Sequence, residues 1–227
     1  IMFLSGCQNT EEKEIVIIST NDIHGRIEQF SKLATFVKRI KEEHPNVILV
    51  DAGDRFTGNP YVDHAKEKGF PIISLMNDLG YEVGTLGNHE FDFGQKILRA
   101  RINDATFPII CANINSSRGE LDSIPPYHII EKDGIKLGFI SFVQTETDQI
   151  PSTNPERLKD ITFDHYLDKV EDYKPLKRQC DVLIGLTHLG VDKDSILATQ
   201  MPELDIIIGG HTHTLLETSK EINNVII

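Results

Sequence analysis

Short apolar runs punctuate the chain: Ile15-Val16-Ile17-Ile18, Val47-Ile48-Leu49-Val50, residues 107–111, Val182-Leu183-Ile184 and Ile206-Ile207-Ile208. They are rich in β-branched residues and continuous rather than alternating, the pattern of strands buried on both faces. Helical periodicity fills the intervals. Leu33, Phe36, Val37 and Ile40 recur at helical spacing behind Ser31, the expected N-cap, and Pro45-Asn46 closes that segment. Further helices are expected over 71–79, stopped by Gly80, and over 94–103, 163–177 and 192–201. One region departs from the alternation. Residues 127–131 and 135–143 flank Lys132-Asp133-Gly134, and Asp-Gly between two apolar runs signals a hairpin. The layout is therefore β/α units, an antiparallel hairpin, then β/α units again. A mixed sheet, or two sheets packed together with helices outside, accommodates it.

The length of 227 residues allows one large domain or at most two small ones. The formal charge of -12 disfavours a nucleic-acid polymer as ligand, because an acidic surface repels polyanions. A small phosphate ester is not disfavoured, since bound metal charge overrules the global field at short range. No apolar run approaches the ~20 residues that span a bilayer. Leu4-Ser5-Gly6-Cys7 resembles the lipobox of bacterial lipoproteins, which makes Cys7 the expected lipidation site. On that reading the sequence begins inside a signal segment, residues 8–14 form a tether, and the folded domain runs over 15–227. The protein is then extracytoplasmic and meets the membrane only through its lipid anchor. Cys111 and Cys180 read as buried thiols, too few for a disulfide framework. Val225-Ile226-Ile227 reads as a strand, and a chain closing on one suggests a truncation or the start of a further element.

The polar residues of interest follow the strands. Asn21-Asp22-Ile23-His24-Gly25, Asp51-Ala52-Gly53-Asp54, Gly87-Asn88-His89-Glu90, Thr187-His188-Leu189-Gly190 and Gly209-Gly210-His211-Thr212-His213 each come just after an apolar run. Sites in α/β sheets assemble at the carboxyl ends of strands, so five such turns converge on one rim. Mixed oxygen and nitrogen donors suit Zn, Mn, Fe, Co or Ni rather than a dedicated Ca site. Seven donors exceed the needs of one ion, whereas two divalent ions sharing a bridging carboxylate use them all. Two ions about 3.5–4 Å apart hold a hydroxide between them and neutralise a phosphoryl group. Asp-x-His and Gly-Asp are weak signals alone. Gly-Asn-His-Glu is stronger, since a fixed tetrapeptide arises by chance in a chain this long about once in a thousand.

The ordered set Asp22-x-His24, Gly53-Asp54, Gly87-Asn88-His89-Glu90, His188 and Gly210-His211-x-His213 resembles the calcineurin-like metallophosphoesterases. The wider wording, including Gly-Asn-His-Glu-Phe-Asp and Thr-His-Leu-Gly, is similar to the bacterial 5′-nucleotidase branch. The resemblance implies a four-layer αββα sandwich. It implies that Asp22, His24 and His213 hold one metal, that Asn88, His188 and His211 hold the second, and that Asp54 bridges. His89 and Asn88 would face the substrate phosphate. His89 would protonate or stabilise the leaving oxygen, and Asp92 would fix its tautomer. Members of that branch usually carry a C-terminal nucleotide-binding domain, to which nothing here corresponds. It would lie beyond this sequence or on a partner chain.

The expected function is hydrolysis of a phosphate monoester, a 5′-nucleotide or related small phosphate. Two alternatives remain open: a cyclic phosphodiester or sulfur-ester hydrolase with the same metals, and a lipid-anchored metal-binding subunit that needs a partner for catalysis. Asp22 and Asp54 could also serve as caps or turn residues, and Asp92 as N-cap of the helix near Gly94. Glu90 is expected to brace its loop rather than touch metal.

Overall fold

Four parallel strands form the first sheet of the computed structural model, which describes residues 12–227. The lipobox and Cys7 lie outside the described residues. These strands, β1 (Val16–Thr20), β2 (Val47–Asp51), β3 (Val83–Thr85) and β4 (Ile109–Ile110), stand in sequence order. A short antiparallel pair joins β5 (Ile114–Asn115) to β8 (Thr162–Phe163). The second sheet contains β6 (Tyr127–Lys132), β7 (Ile135–Ile140), β9 (Val182–Leu186), β10 (Ile206–Ile208), β11 (Glu221–Ile222) and β12 (Val225–Ile226). Its spatial order is β11-β12-β10-β9-β7-β6, parallel in the middle and antiparallel at both edges. The hairpin expected around Asp133-Gly134 is the β6–β7 edge, and Asp133 takes the positive φ of 51° that such a turn requires.

The apolar runs are continuous because both faces of their strands are buried. Ile48 and Val50 of β2 share one cluster with Leu137 and Phe139 of β7 and Ile184 and Leu186 of β9, so the two sheets pack face to face. Val47 and Leu49 point the other way, onto α1 (Phe30–Glu43), α3 (Phe70–Leu79) and α4 (Gln95–Asp104). Ile140 and Leu183 pack outward against α5 (Tyr166–Tyr173) and α6 (Val191–Gln200). Helix, sheet, sheet, helix is the resulting order of layers, and the metallophosphoesterase sandwich implied by resemblance is the observed architecture. A further short helix, α2 (Pro60–Asp63), is capped by Asn59, whose side chain accepts from the Tyr61 amide.

Several local expectations need correction. Helix α1 begins at Phe30 behind a 3-10 turn over Ile27–Gln29, so Ser31 lies inside the helix rather than capping it. The helix expected over 163–177 starts later. Phe163 belongs to β8, His165 caps α5 by accepting from the Leu167 amide, and a 3-10 segment at Lys174–Gln179 replaces the last turns. Pro175 lacks the amide that an α-helix would use there. Asp92 does not cap α4; Gly94 occupies that position, and the Asp92 side chain turns toward His89. Cys111 and Cys180 are free thiols; Cys111 is buried as expected, whereas Cys180 is only half-buried. Among the described residues, no helix is long and apolar enough to cross a membrane.

Candidate metal centre

The carboxyl ends of β1, β2 and β3 in one sheet and of β9 and β10 in the other deliver all seven candidate donors to one rim. Backbone pairing continues past the strands to place them. Asp22 N donates to Gly53 O at 3.0 Å and His24 N to Asp54 O at 2.9 Å, which locks the first two turns side by side. His188 N donates to Phe142 O, extending the β7–β9 pairing by an isolated bridge. The two sheets are then tied across the rim, because the His211 amide reaches both Asp22 carboxylate oxygens at 3.1 Å.

Two groups of donors result. Asp22, His24 and His213 form one and Asp54, His188 and His211 the other, with the ligand atoms of each group within 4.8 Å of one another. Asp22 lies between them: its Oδ1 is 3.4 Å from His213 Nε2 and 3.9 Å from His188 Nε2. Asp54 groups with the second set, and Asn88 Oδ1 adjoins it 3.1 Å from His211 Nδ1.

The donor chemistry fits divalent cations. His188 Nδ1 lies 2.7 Å from the Ala52 carbonyl, which can only accept, so the proton sits on Nδ1 and the Nε2 lone pair faces the site. That Nε2 is fully enclosed and makes no hydrogen bond, although Asp54 Oδ2 is 2.9 Å away. His24 repeats the pattern, with Nδ1 3.3 Å from the Thr57 carbonyl and Nε2 3.2 Å from Nε2 of His213. Imidazole nitrogens that face each other or a carboxylate in this way are satisfied by a shared cation. Asp54 and His188 also pair with each other, a proton on Nε2 taking the place that a cation would hold. Burial disfavours the charge on Asp54, yet His188 beside it holds its carboxyl down at about 2. Burial likewise disfavours the His188 proton, but the Asp54 carboxylate pushes it up to about 9. His211 moves the other way, kept neutral by burial and by His188.

Backbone strain gathers at the same rim. Asp22, His24, Asp54, His211 and His213 all have φ between 47° and 87°, a region that residues other than glycine rarely adopt. Two glycines are required by contact. A Cβ on Gly87 would lie 2.2 Å from Asp54 Oδ1, and one on Gly53 would lie 2.9 Å from His188 Nδ1.

His89 stands beside the first group, its ring 5.0 Å from that of His24. Its Nδ1 donates to Asp92 Oδ2 at 2.6 Å, and its backbone amide donates to Asp54 Oδ1 at 2.9 Å. The bond to Asp92 raises the pKa of His89 above its ordinary value. Burial opposes the charge on Asp92, but bonds from His89, Thr57 and Thr153 hold its pKa down. Glu90 braces the loop as expected. It is fully buried and accepts from the amides of Asp54, Arg55 and Gly87 at 2.9, 2.8 and 2.5 Å. Arg55 beneath it is also fully buried, bound to Asp51 through Nε at 2.9 Å and Nη2 at 2.7 Å. Asp51, with no role implied by resemblance, is thus the counter-ion of the floor.

Sequence reasoning missed Arg55, Thr57, Ser152 and Thr153. Arg55 follows Gly53-Asp54 directly, but an arginine beside a motif reads as surface until its burial is known. The 152–153 segment is more than sixty residues from the side chains it meets. Its signal exists only in three dimensions. An open groove of about 650 Å³, lined by Ile27, Glu28, Gly58, Asn59, Pro60 and Tyr61, adjoins the His24 backbone through Gly58.

Comparison with known proteins gives this site its family. The calcineurin-like phosphoesterase model matches residues 15–215. The chain is 33% identical over 239 residues to the 5′-nucleotidase of Rattus norvegicus, covering 92% of this chain and 40% of the relative. It is 31% identical to the trifunctional nucleotide phosphoesterase YfkN of Bacillus subtilis, over 90% of this chain and 17% of the relative. The fold superimposes on a 5′-nucleotidase precursor from Thermus thermophilus with a TM-score of 0.80 and 27% identity, over 90% of this chain and 43% of that one. The chain spans about two fifths of the length of the 5′-nucleotidases it matches. With its motifs, its layers and its donor groups in agreement, the chain belongs to the calcineurin-like phosphoesterase family.

Proposed function

We propose that residues 15–227 form the catalytic domain of a hydrolase that uses two divalent metal ions to cleave phosphate monoesters, 5′-nucleotides or related small phosphates. One observation carries the reading: Asp22/His24/His213 and Asp54/His188/His211 stand side by side, with Asp22 within 3.9 Å of a nitrogen in the other group. Asp22, His24 and His213 would hold one ion and His188, His211 and Asn88 the other, with the Asp54 carboxylate available to both. When bound, the ions activate water as a nucleophile and offset the charge of the phosphoryl oxygens.

The chain's own residues do the rest. Asn88 and His89 face the phosphate, and the Asn88 amide is oriented by donating through Nδ2 to the Ser152 carbonyl at 3.0 Å. His89 keeps one proton on Nδ1, bound to Asp92, and presents a second on Nε2 to the leaving alkoxide. General-acid help of this kind is worth ~10²–10⁴ in rate. Nucleotides are favoured as substrates by the similarity to the rat 5′-nucleotidase and the Bacillus subtilis nucleotide phosphoesterase.

The test is phosphate release by the metal-loaded chain from a 5′-nucleotide, an aryl phosphate and a bis-aryl phosphodiester. Turnover of the first two and not the third is the expected result. Cleavage of the diester alone overturns the monoesterase reading, and failure on all three points to a subunit that needs a partner.

A further inference from the structure

Asp92 belongs to neither candidate metal group, yet three donors converge on its carboxylate. Oδ2 accepts from His89 Nδ1 at 2.6 Å and from Thr57 Oγ1 at 2.9 Å, and Oδ1 accepts from Thr153 Oγ1 at 2.9 Å. The two threonines come from opposite directions. Thr57 follows the β2 turn that carries Asp54, whereas Thr153 lies between β7 and β8.

Thr57 is the more unusual of the two. It is β-branched and holds a φ of 54°, a conformation that favours glycine or asparagine. Its neighbour Gly58 already supplies a positive φ of 122°. What a threonine adds at this strained position is its hydroxyl on Asp92, while its backbone carbonyl lies 3.3 Å from His24 Nδ1. One residue thereby links a metal ligand to the carboxylate behind His89. Thr153 mirrors this arrangement, because the preceding Ser152 carbonyl accepts from Asn88. A carboxylate with a single partner turns about its side-chain bond. With donors on both oxygens it is fixed, and the imidazole bound to it is aimed.

We propose that Thr57 and Thr153 are positioning residues that clamp the Asp92 carboxylate from two sides and so aim His89 at the leaving oxygen. The proposal rests on the monoesterase reading above. It extends that reading to two residues and makes a prediction that depends on the leaving group. An alkyl phosphate leaves as a strongly basic alkoxide and needs the His89 proton. An aryl phosphate leaves as a weakly basic phenolate and hardly needs it.

The experiment uses the metal-loaded chain with Thr57→Val, Thr153→Val, the double variant, and the Thr57→Ser and Thr153→Ser controls. Each is assayed on an alkyl and an aryl phosphomonoester. The valine variants should lower kcat on the alkyl ester about tenfold each, with KM and bound metal unchanged. On the aryl ester the loss should stay within about threefold, and the serine variants should recover to within about twofold of the wild type. Equal losses on both esters, or an unaltered alkyl kcat in the double variant, overturn the clamp. Should the wild type release phosphate from neither ester, the monoesterase reading is what fails. The exchange of the His89 Nδ1 proton, followed by NMR, then judges the clamp by itself. Protection in the wild type and its loss in the double valine variant support it, and equal exchange in both overturns it.

Discussion

His188 Nδ1 and the Ala52 carbonyl, 2.7 Å apart and 136 residues distant in sequence, fix the tautomer that leaves Nε2 facing Asp54. The contact ties β9 of one sheet to the turn after β2 of the other, so a candidate metal ligand is oriented across the interface between the two sheets. Without the packing of Ile48 and Val50 against Ile184 and Leu186 beneath it, the lone pair would have no fixed direction.

Metal binding should therefore depend on Asp54 and raise stability. Asp54→Asn is expected to lose bound metal and activity together, read by elemental analysis and phosphate release. Chelation should lower the unfolding midpoint of the wild type, since a ligand at a hundred times its Kd stabilises by about 2.7 kcal/mol. Full metal occupancy in Asp54→Asn would exclude the assigned ligand role.

His89→Asn should behave differently, keeping both metals while kcat falls by ~10²–10⁴. His89 touches Asp54 only through its backbone amide, which the substitution retains. Unchanged turnover in this variant would remove His89 from the mechanism.

The pH profile follows from the same pair. The hydrogen bond to Asp92 raises the His89 pKa above its ordinary 6.5, so the ring keeps its proton further into the alkaline range. A general acid is lost as pH rises through its pKa, which makes this the alkaline limb of kcat. Asp92→Asn removes the carboxylate and should move that limb to lower pH. A limb that stays in place or moves upward, measured on an alkyl phosphate, contradicts the assignment.

Glu90 should matter for folding more than for chemistry. Glu90→Ala strips acceptors from three buried amides and removes the carboxylate 3.8 Å from Arg55 Nη1. Breaking a buried ion pair from one side costs about 3–5 kcal/mol. Urea unfolding should show a loss of that size, with Glu90→Gln milder because it keeps an acceptor. A change within about 0.5 kcal/mol would fall in the range of ordinary surface substitutions and discard the bracing role.

Much of the site was legible in the sequence because its chemistry is local to single turns. Asp22 and His24 are two residues apart, as are His211 and His213, and each pair follows an apolar run that can only be a buried strand or helix. Residue type and order alone thus picked out the candidate donors, and the continuous β-branched runs determined strands covered on both faces. Only the tertiary structure decided how the turns meet. It buried Arg55 against Asp51, set five of the donors in strained backbone, and brought Thr153 to Asp92 across 61 residues. Those features arise where one sheet packs on another and where a distant loop closes over a turn. Such contacts depend on register and layer packing, which leave no periodic trace along the chain.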